Sequence, residues 1–181
     1  MPAFGENKAF YLVFTLDEKW DYGYIPSQSQ SVRRQVLLRS SASGGNHLPW
    51  FLCNHAPTED KNELLEVLLL AYMQRMALDM AEREPESYNF HSNLPKELEK
   101  CELDYHEMGC LEDKVNCDNA WINVTAIHIQ VPGSYRFWEL LPQLFAVKDV
   151  EAKWEILSSL PPVRESHLQA IAVFNEKLIR A

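Results

Sequence analysis

The chain of 181 residues contains 46% hydrophobic residues and carries a formal net charge of −9 at pH 7. This share of apolar residues excludes global disorder and suffices for the core of a single domain that spans residues 1–181. The acidic balance argues against a nucleic-acid binder, which needs a basic surface to displace counterions from phosphates.

The composition of the first residues predicts a cytoplasmic protein. Residues 1–8 include Pro2, Gly5 and Glu6 and lack the apolar core of a secretory signal. The longest unbroken apolar run, residues 67–73, is far shorter than the ~20 residues that cross a membrane. In that compartment the four cysteines are expected to be reduced.

The first third of the chain predicts three β-strands. Residues 10–16 alternate apolar side chains on both faces, which is typical of a strand inside a sheet. Residues 32–39 place Arg33 and Arg34 on opposite faces and therefore favour an edge or half-exposed strand over a central one. The short apolar run 48–53 predicts a third strand.

Residues 58–83 predict one long helix around which the domain is organised. Asp60 and Glu63 form a capping-box pattern at its start, and the residues that follow are strongly apolar. Its charged residues leave apolar arcs on more than one side, so a sheet is expected to cover one side and other helices another.

Residues 121–131 predict a central strand, because apolar side chains occupy both faces. Ser134 is expected to begin a helix that Pro142 breaks or kinks. Two further helices are predicted over residues 149–160 and 163–180. Together these patterns predict an α+β fold, in which a mixed or antiparallel sheet of three to five strands packs against the long central helix and the C-terminal helices.

Most of the negative charge lies in residues 84–119, which contain ten acidic and three basic side chains. This acidic insert has no long periodic pattern apart from a short helix expected near residues 93–103, so it is predicted to be largely irregular. Its aromatic and leucine side chains indicate that part of it packs against the domain.

The acidic insert also contains a candidate zinc site. Its members are residue types that zinc prefers, namely Cys101, His106, Cys110 and Cys117. Their spacing matches no known zinc motif and lacks a C-x-x-C pair. The competing interpretation is that the cysteines are reduced, partly buried side chains and that the protein holds no cofactor.

Candidate catalytic residues are few. Cys53 precedes the long helix and is followed by His55, a pair that suits a thiol nucleophile with a neighbouring base. His128 lies within the predicted central strand. No common nucleotide-binding, hydrolase or metalloprotease motif is present. If these three residues converge in a pocket between the sheet and the long helix, the chain is a small enzyme or a ligand-binding protein.

The favoured hypothesis is a non-enzymatic protein-interaction module, for example an inhibitor or immunity-type protein, that docks an acidic surface on a basic partner. The expected contact residues are acidic and aromatic side chains of the insert, namely Glu97, Glu99, Glu102, Asp104, Tyr105 and Glu107. Direct contacts with nucleic acid or with a membrane are not expected. A homodimer formed through an uncovered arc of the long helix is a third hypothesis.

Overall fold

The computed structural model describes residues 5–18, 33–53, 61–83, 88–110, 120–133 and 137–180. Within these ranges the chain forms seven β-strands in one sheet and four α-helices. The strands are β1 (Gly5–Glu18), β2 (Arg33–Ser41), β3 (Gly45–His47), β4 (Trp50–Cys53), β5 (Glu102–Cys110), β6 (Ala120–Val131) and β7 (Val150–Ile156). The helices are α1 (Lys61–Arg83), α2 (Tyr88–Glu99), α3 (Phe137–Phe145) and α4 (Glu165–Arg180).

β1 is the central strand of the sheet. It runs parallel to β6 from Gly5, opposite Ala120, to Leu16, opposite Val131. On its other side, the first half of β1 pairs antiparallel with β4 and its end pairs antiparallel with β2. β5 pairs antiparallel with β6, and β7 pairs antiparallel with β2 on the side away from β1. Within the described part of the chain, β5 and β7 therefore lie at opposite edges of the sheet.

Alternation along β1 builds an apolar core on each face of the sheet. Phe10, Leu12 and Phe14 pack with side chains of α1, α2 and α3, whereas Tyr11 and Val13 pack with side chains of α4. All five residues are buried. Because successive side chains of a strand point to opposite faces, one apolar strand supplies both cores. The domain thus has three layers, with α1–α3 on one face of the sheet and α4 on the other.

The predicted long helix is confirmed over its described residues, which begin at Lys61. Its buried stripe consists of Leu69, Met73, Ala77 and Met80, whose spacing of three or four residues places them on one helical face. These side chains pack against the same face of the sheet as Phe10 of β1. Of the described helices, none combines the length and the apolarity that a membrane crossing requires.

The α+β class and the mixed sheet are confirmed, but the expected number of three to five strands was too low, since seven are described. β2 was expected to be an edge or half-exposed strand; it has strand neighbours on both sides, and its Arg34, Gln35 and Arg39 are half-buried. Arg34 and Arg39 are accommodated because their side chains find hydrogen-bond partners. Arg34 donates to both carboxylate oxygens of Asp17 at 2.7 and 3.2 Å, and Arg39 Nε donates to the Phe145 carbonyl at 3.1 Å.

The helix expected over residues 149–160 is wrong, because this segment forms β7 and a short 3-10 turn. Val150, Ala152 and Trp154 are half-buried and alternate with exposed charged residues, which is the two-residue period of a strand. Asp149 has a φ of 65°, so the residue expected to cap a helix instead forms a left-handed turn before the strand.

Pro142 was expected to break or kink its helix, and it does not break it, because α3 continues from Phe137 to Phe145. Proline has no N–H, so it cannot donate to the carbonyl four residues earlier, which belongs to Trp138. The indole N–H of Trp154 donates to that carbonyl at 2.9 Å. Trp154 therefore replaces the missing helical hydrogen bond and ties β7 to α3.

The acidic insert, predicted to be largely irregular, contains α2 and β5 within its described residues 88–110. The predicted short helix exists but lies earlier, from Tyr88 to Glu99. Leu94 of α2 is fully buried in the core beneath the helical layer. β5 has a weak apolar pattern of its own and is a strand because it pairs along β6, which local periodicity does not reveal.

Candidate functional site

The acidic segment makes a sharp transition from α2 to β5. At the end of α2, the Lys100 N–H donates to the Glu97 carbonyl at 3.2 Å and the Cys101 N–H donates to the Leu98 carbonyl at 3.1 Å. Glu102 then begins β5, which runs antiparallel to β6. This short exit places the last turn of α2 beside the start of the edge strand.

A groove of about 660 Å³ lies between α1, α2 and β5. Most of its lining is apolar, consisting of Val67, Leu69, Leu70, Pro95, Leu98, Cys101 and Leu103. Glu66 and Glu99 complete the lining, and both are exposed. Val67 is 62% exposed. The groove therefore combines apolar surface with negative charge, a combination that suits protein recognition.

Two acidic side chains of β5 point to the face of the sheet that carries α4. Glu102 lies opposite Gln130 and Asp104 lies opposite His128 in the antiparallel pairing with β6. Directly opposed residues share a face, and the His128 ring stacks on Phe174 of α4 with centroids 5.1 Å apart. Glu102 and Asp104 are both exposed.

The alternating residues of β5 point to the opposite face, towards α1 and the groove. Leu103 lies opposite Ile129 and Tyr105 lies opposite Ile127, and all four belong to the core cluster beneath α1. Burial, together with the nearby Glu66 carboxylate of α1, raises the pKa of Tyr105 to about 12. The Tyr105 phenol is therefore neutral at physiological pH.

We call the groove and its adjoining carboxylates the α1–α2–β5 surface, whose exposed acidic residues are Glu66, Glu99, Glu102, Asp104 and Glu107. All six contact residues expected from the sequence lie on the last turn of α2 or on β5, but the side chains of Glu102 and Asp104 are on the α4 face of the sheet and those of Tyr105 and Glu107 on the α1 face. Glu97 differs from the others, because it is half-buried and its carboxylate lies 3.2 Å from Lys100 Nζ.

The candidate zinc ligands are not brought together. Cys101 precedes β5, whereas His106 and Cys110 lie along it, and an extended strand separates them by roughly 16 and 13 Å. Ligands of one zinc ion lie only ~4 Å apart. Cys117 is outside the described residues, within which no group of three metal-ligating side chains is found.

Cys101 has a structural role instead. Its thiol donates to the Glu97 carbonyl at 3.4 Å, at the end of α2. Burial, and secondly the Glu97 carboxylate, raise the pKa of the Cys101 thiol to about 12. The thiol is therefore protonated at neutral pH, whereas a zinc ligand or a nucleophile must be a thiolate.

The candidate catalytic residues also fail to converge. Cys53 packs against the core beneath α1, whereas His128 faces α4 on the other side of the sheet. His128 Nε2 lies 2.6 Å from Thr15 Oγ1, and both residues are buried. His55 is outside the described residues. Because a full sheet separates Cys53 from His128, these two residues cannot act on one substrate.

Sequence analysis missed a buried polar cluster where α4 begins. The His167 ring stacks on Tyr11 with centroids 4.1 Å apart, and its Nδ1 accepts a hydrogen bond from the Leu48 N–H at 3.1 Å. Tyr11 Oη and Ser166 Oγ lie 3.3 Å apart. The adjacent Ser166 and His167 at the start of an amphipathic helix were the available signal. Leu48 lies between β3 and β4, so its N–H has no partner in a strand pair of the described sheet. His167 accepts this hydrogen bond, and the cluster therefore stabilises the fold.

Comparisons with known proteins do not assign a family to the chain. No protein-family model matches it, and no curated protein sequence matches it. The functional interpretation therefore depends on the geometry of the α1–α2–β5 surface.

Proposed function

We propose that the chain is a non-enzymatic protein-interaction module that binds a basic partner protein through the α1–α2–β5 surface. The observation that carries this proposal is the coincidence of two features in one place. An apolar groove of about 660 Å³ has the exposed Glu66 and Glu99 in its lining, and Glu102 and Asp104 add exposed carboxylates on the other face of the adjoining strand β5. An inhibitor whose carboxylates cover a cationic site of its target is one form that such a module takes.

The groove supplies the apolar part of the interface. Interfaces concentrate their binding energy in a few side chains that fill well-packed pockets. Val67 of α1 and Leu98 of α2 are the walls that an inserted partner side chain would contact. Each Å² of apolar surface removed from water contributes about 25 cal/mol, so this groove is the expected source of affinity.

The carboxylates supply selectivity and a fast encounter. Glu66, Glu99 and Glu102 are exposed and belong to three different elements, so their charges act on an approaching molecule from several sides. At physiological ionic strength such charges act over roughly 8 Å. Opposite charge on a partner therefore accelerates association, whereas phosphate groups are repelled.

The test compares the wild-type protein with a surface variant that combines Glu99→Gln, Glu102→Gln and Asp104→Asn. These changes remove three charges and keep the side-chain shapes, including the Asp104 oxygen that accepts a hydrogen bond from the Tyr105 N–H at 2.9 Å. Each protein is immobilised and exposed to a lysate of its native host, and bound proteins are quantified by mass spectrometry. We expect the wild type to retain a basic protein whose association slows steeply as salt increases, and the surface variant to retain about tenfold less of it.

A control variant with the same change in net charge shows whether the loss of binding is specific to the α1–α2–β5 surface. Glu139→Gln, Glu151→Gln and Glu165→Gln alter exposed carboxylates on α3, β7 and α4. This control variant should retain the partner as the wild type does, and circular dichroism should show all three proteins folded. Equal capture by the surface variant would contradict the proposed function.

A further inference from the structure

β5 is an edge strand within the described part of the sheet, with β6 as its strand neighbour. The backbone of an edge strand can form hydrogen bonds with a strand from another chain, a binding mode known as β-strand addition. The regular pairing of β5 with β6 covers Glu102 to Glu107, and the register shifts between Glu107 and Gly109. A strand of about six residues, roughly 20 Å long, therefore matches the regular part of this edge.

The two faces of this edge would contact different side chains of an added strand. On the α4 face the edge presents Glu102 and Asp104, which are exposed. On the α1 face it presents Leu103 and Tyr105, and Leu103 also lines the apolar groove. Since neighbouring strands place opposed side chains on the same face, an added strand would meet carboxylates on one face and apolar groups on the other.

We infer that the basic partner binds as a β-strand added to β5, with basic and apolar residues alternating along it. This inference rests on the proposed function and specifies the chemistry of the docking segment. Basic side chains at every second position pair with Glu102 and Asp104. The apolar side chains between them lie over Leu103 and Tyr105 and extend towards the groove.

Charge complementarity favours this occupant over a second copy of the chain. Residues 102–110 contain three carboxylates and neither lysine nor arginine. Two β5 strands brought edge to edge would therefore place like charges opposite each other, which is destabilising. A helical segment would place its basic residues at intervals of three or four and would not match the two-residue alternation of the edge.

The test uses two synthetic seven-residue peptides of identical composition, with blocked ends. One alternates lysine and valine, and the other contains the same residues in the spacing of an amphipathic helix. We expect the alternating peptide to bind the full chain about tenfold more tightly, in a salt-dependent manner. We also expect it to slow amide hydrogen exchange at alternate residues of β5 and to leave β7 unchanged, as measured by NMR.

Charge reversal on the two edge strands provides a test variant with two reversed charges and a control variant with one. Glu102→Lys with Asp104→Lys should weaken binding of the lysine–valine peptide by more than about tenfold and create binding of a glutamate–valine peptide. Glu151→Lys on β7, the other edge strand, should change neither. Sedimentation of the unbound protein tests the competing occupant, because a dimer that the β5 variant abolishes would assign this edge to a second copy.

Several outcomes would overturn strand addition. These are no binding of the alternating peptide, equal binding of both peptides, or binding without protection of β5. None of them contradicts the proposed function, which is tested independently by capture of the host protein. If the surface variant captures the host protein as well as the wild type does, both the proposed function and strand addition are contradicted.

Discussion

Within the described sheet, the edge strands β5 and β7 differ in how they are protected. On β7, Lys153 Nζ lies 3.2 Å from the Glu155 carboxylate, and Trp154 donates a hydrogen bond to Trp138 of α3. β5 carries only acidic charges and borders an open groove. A lysine on an edge strand and a covering helix are common ways in which proteins prevent further strands from adding. This contrast is the reason why we propose β5, and not β7, as the edge to which a partner strand adds.

The largest expected difference between the two edge strands is in the free energy of unfolding and concerns the hydrogen bond from Trp154 of β7 to Trp138 of α3. Trp154→Phe removes the donor to the Trp138 carbonyl and should lower the free energy of unfolding by about 1–3 kcal/mol, the cost of leaving a buried acceptor unsatisfied. Tyr105→Phe on β5 should cost less than about 1 kcal/mol. Urea denaturation of both variants measures this difference.

A double-mutant cycle sharpens that result. Pro142→Ala restores an N–H that can donate to the Trp138 carbonyl within α3. In this background Trp154→Phe should therefore cost less than in the wild type, because the carbonyl has a second donor. An unchanged cost would show that the hydrogen bond does not anchor β7.

A smaller effect is expected on the β5 side at alkaline pH. Burial raises the pKa of Tyr105 from 10.0 to about 12 and that of Cys101 from 9.0 to about 12. Above pH 9 the unfolded chain loses these protons before the folded protein does, so stability is complete below that pH and declines as the pH rises towards 12. Urea midpoints between pH 8 and 11 should fall less steeply for Tyr105→Phe and Cys101→Ala than for Trp154→Phe, which serves as the control.

The smallest effect is expected at acid pH and concerns His47 of β3, a strand that pairs with β2 as β7 does. Burial lowers the pKa of His47 from 6.5, and the charges of Arg39 and Arg164 lower it further, whereas its hydrogen bond with the Gly45 carbonyl opposes this shift. Below pH 6.5, His47 is protonated more readily in the unfolded chain than in the folded protein. The contribution of His47 to stability is therefore complete above that pH and declines as the pH falls. The melting temperature of His47→Gln should fall less than that of the wild type between pH 7 and 5. An identical decline would show that His47 does not contribute.

Strong local periodicity explains which elements could be predicted from the sequence. β1 and β6 have apolar side chains on both faces, and α1 and α4 have apolar stripes with helical spacing. Patterns of this length have one stable solution, whichever elements surround them. The α+β class followed from these patterns, and the acidic character of residues 84–119 followed from their composition.

The weaker elements could not be predicted because their neighbours decide their structure. β7 and β5 alternate polar with modestly apolar residues, so pairing with β2 and β6 makes them strands. The separation of Cys53 from His128 likewise depends on the sheet between them. Sequence alone thus determined the core strands, the long helix and the acidic segment, because the spacing of apolar and charged residues along the chain is a local property. Only the tertiary structure decided that part of the acidic segment forms an edge strand of the described sheet beside an apolar groove, because strand neighbours are chosen across long distances in the chain.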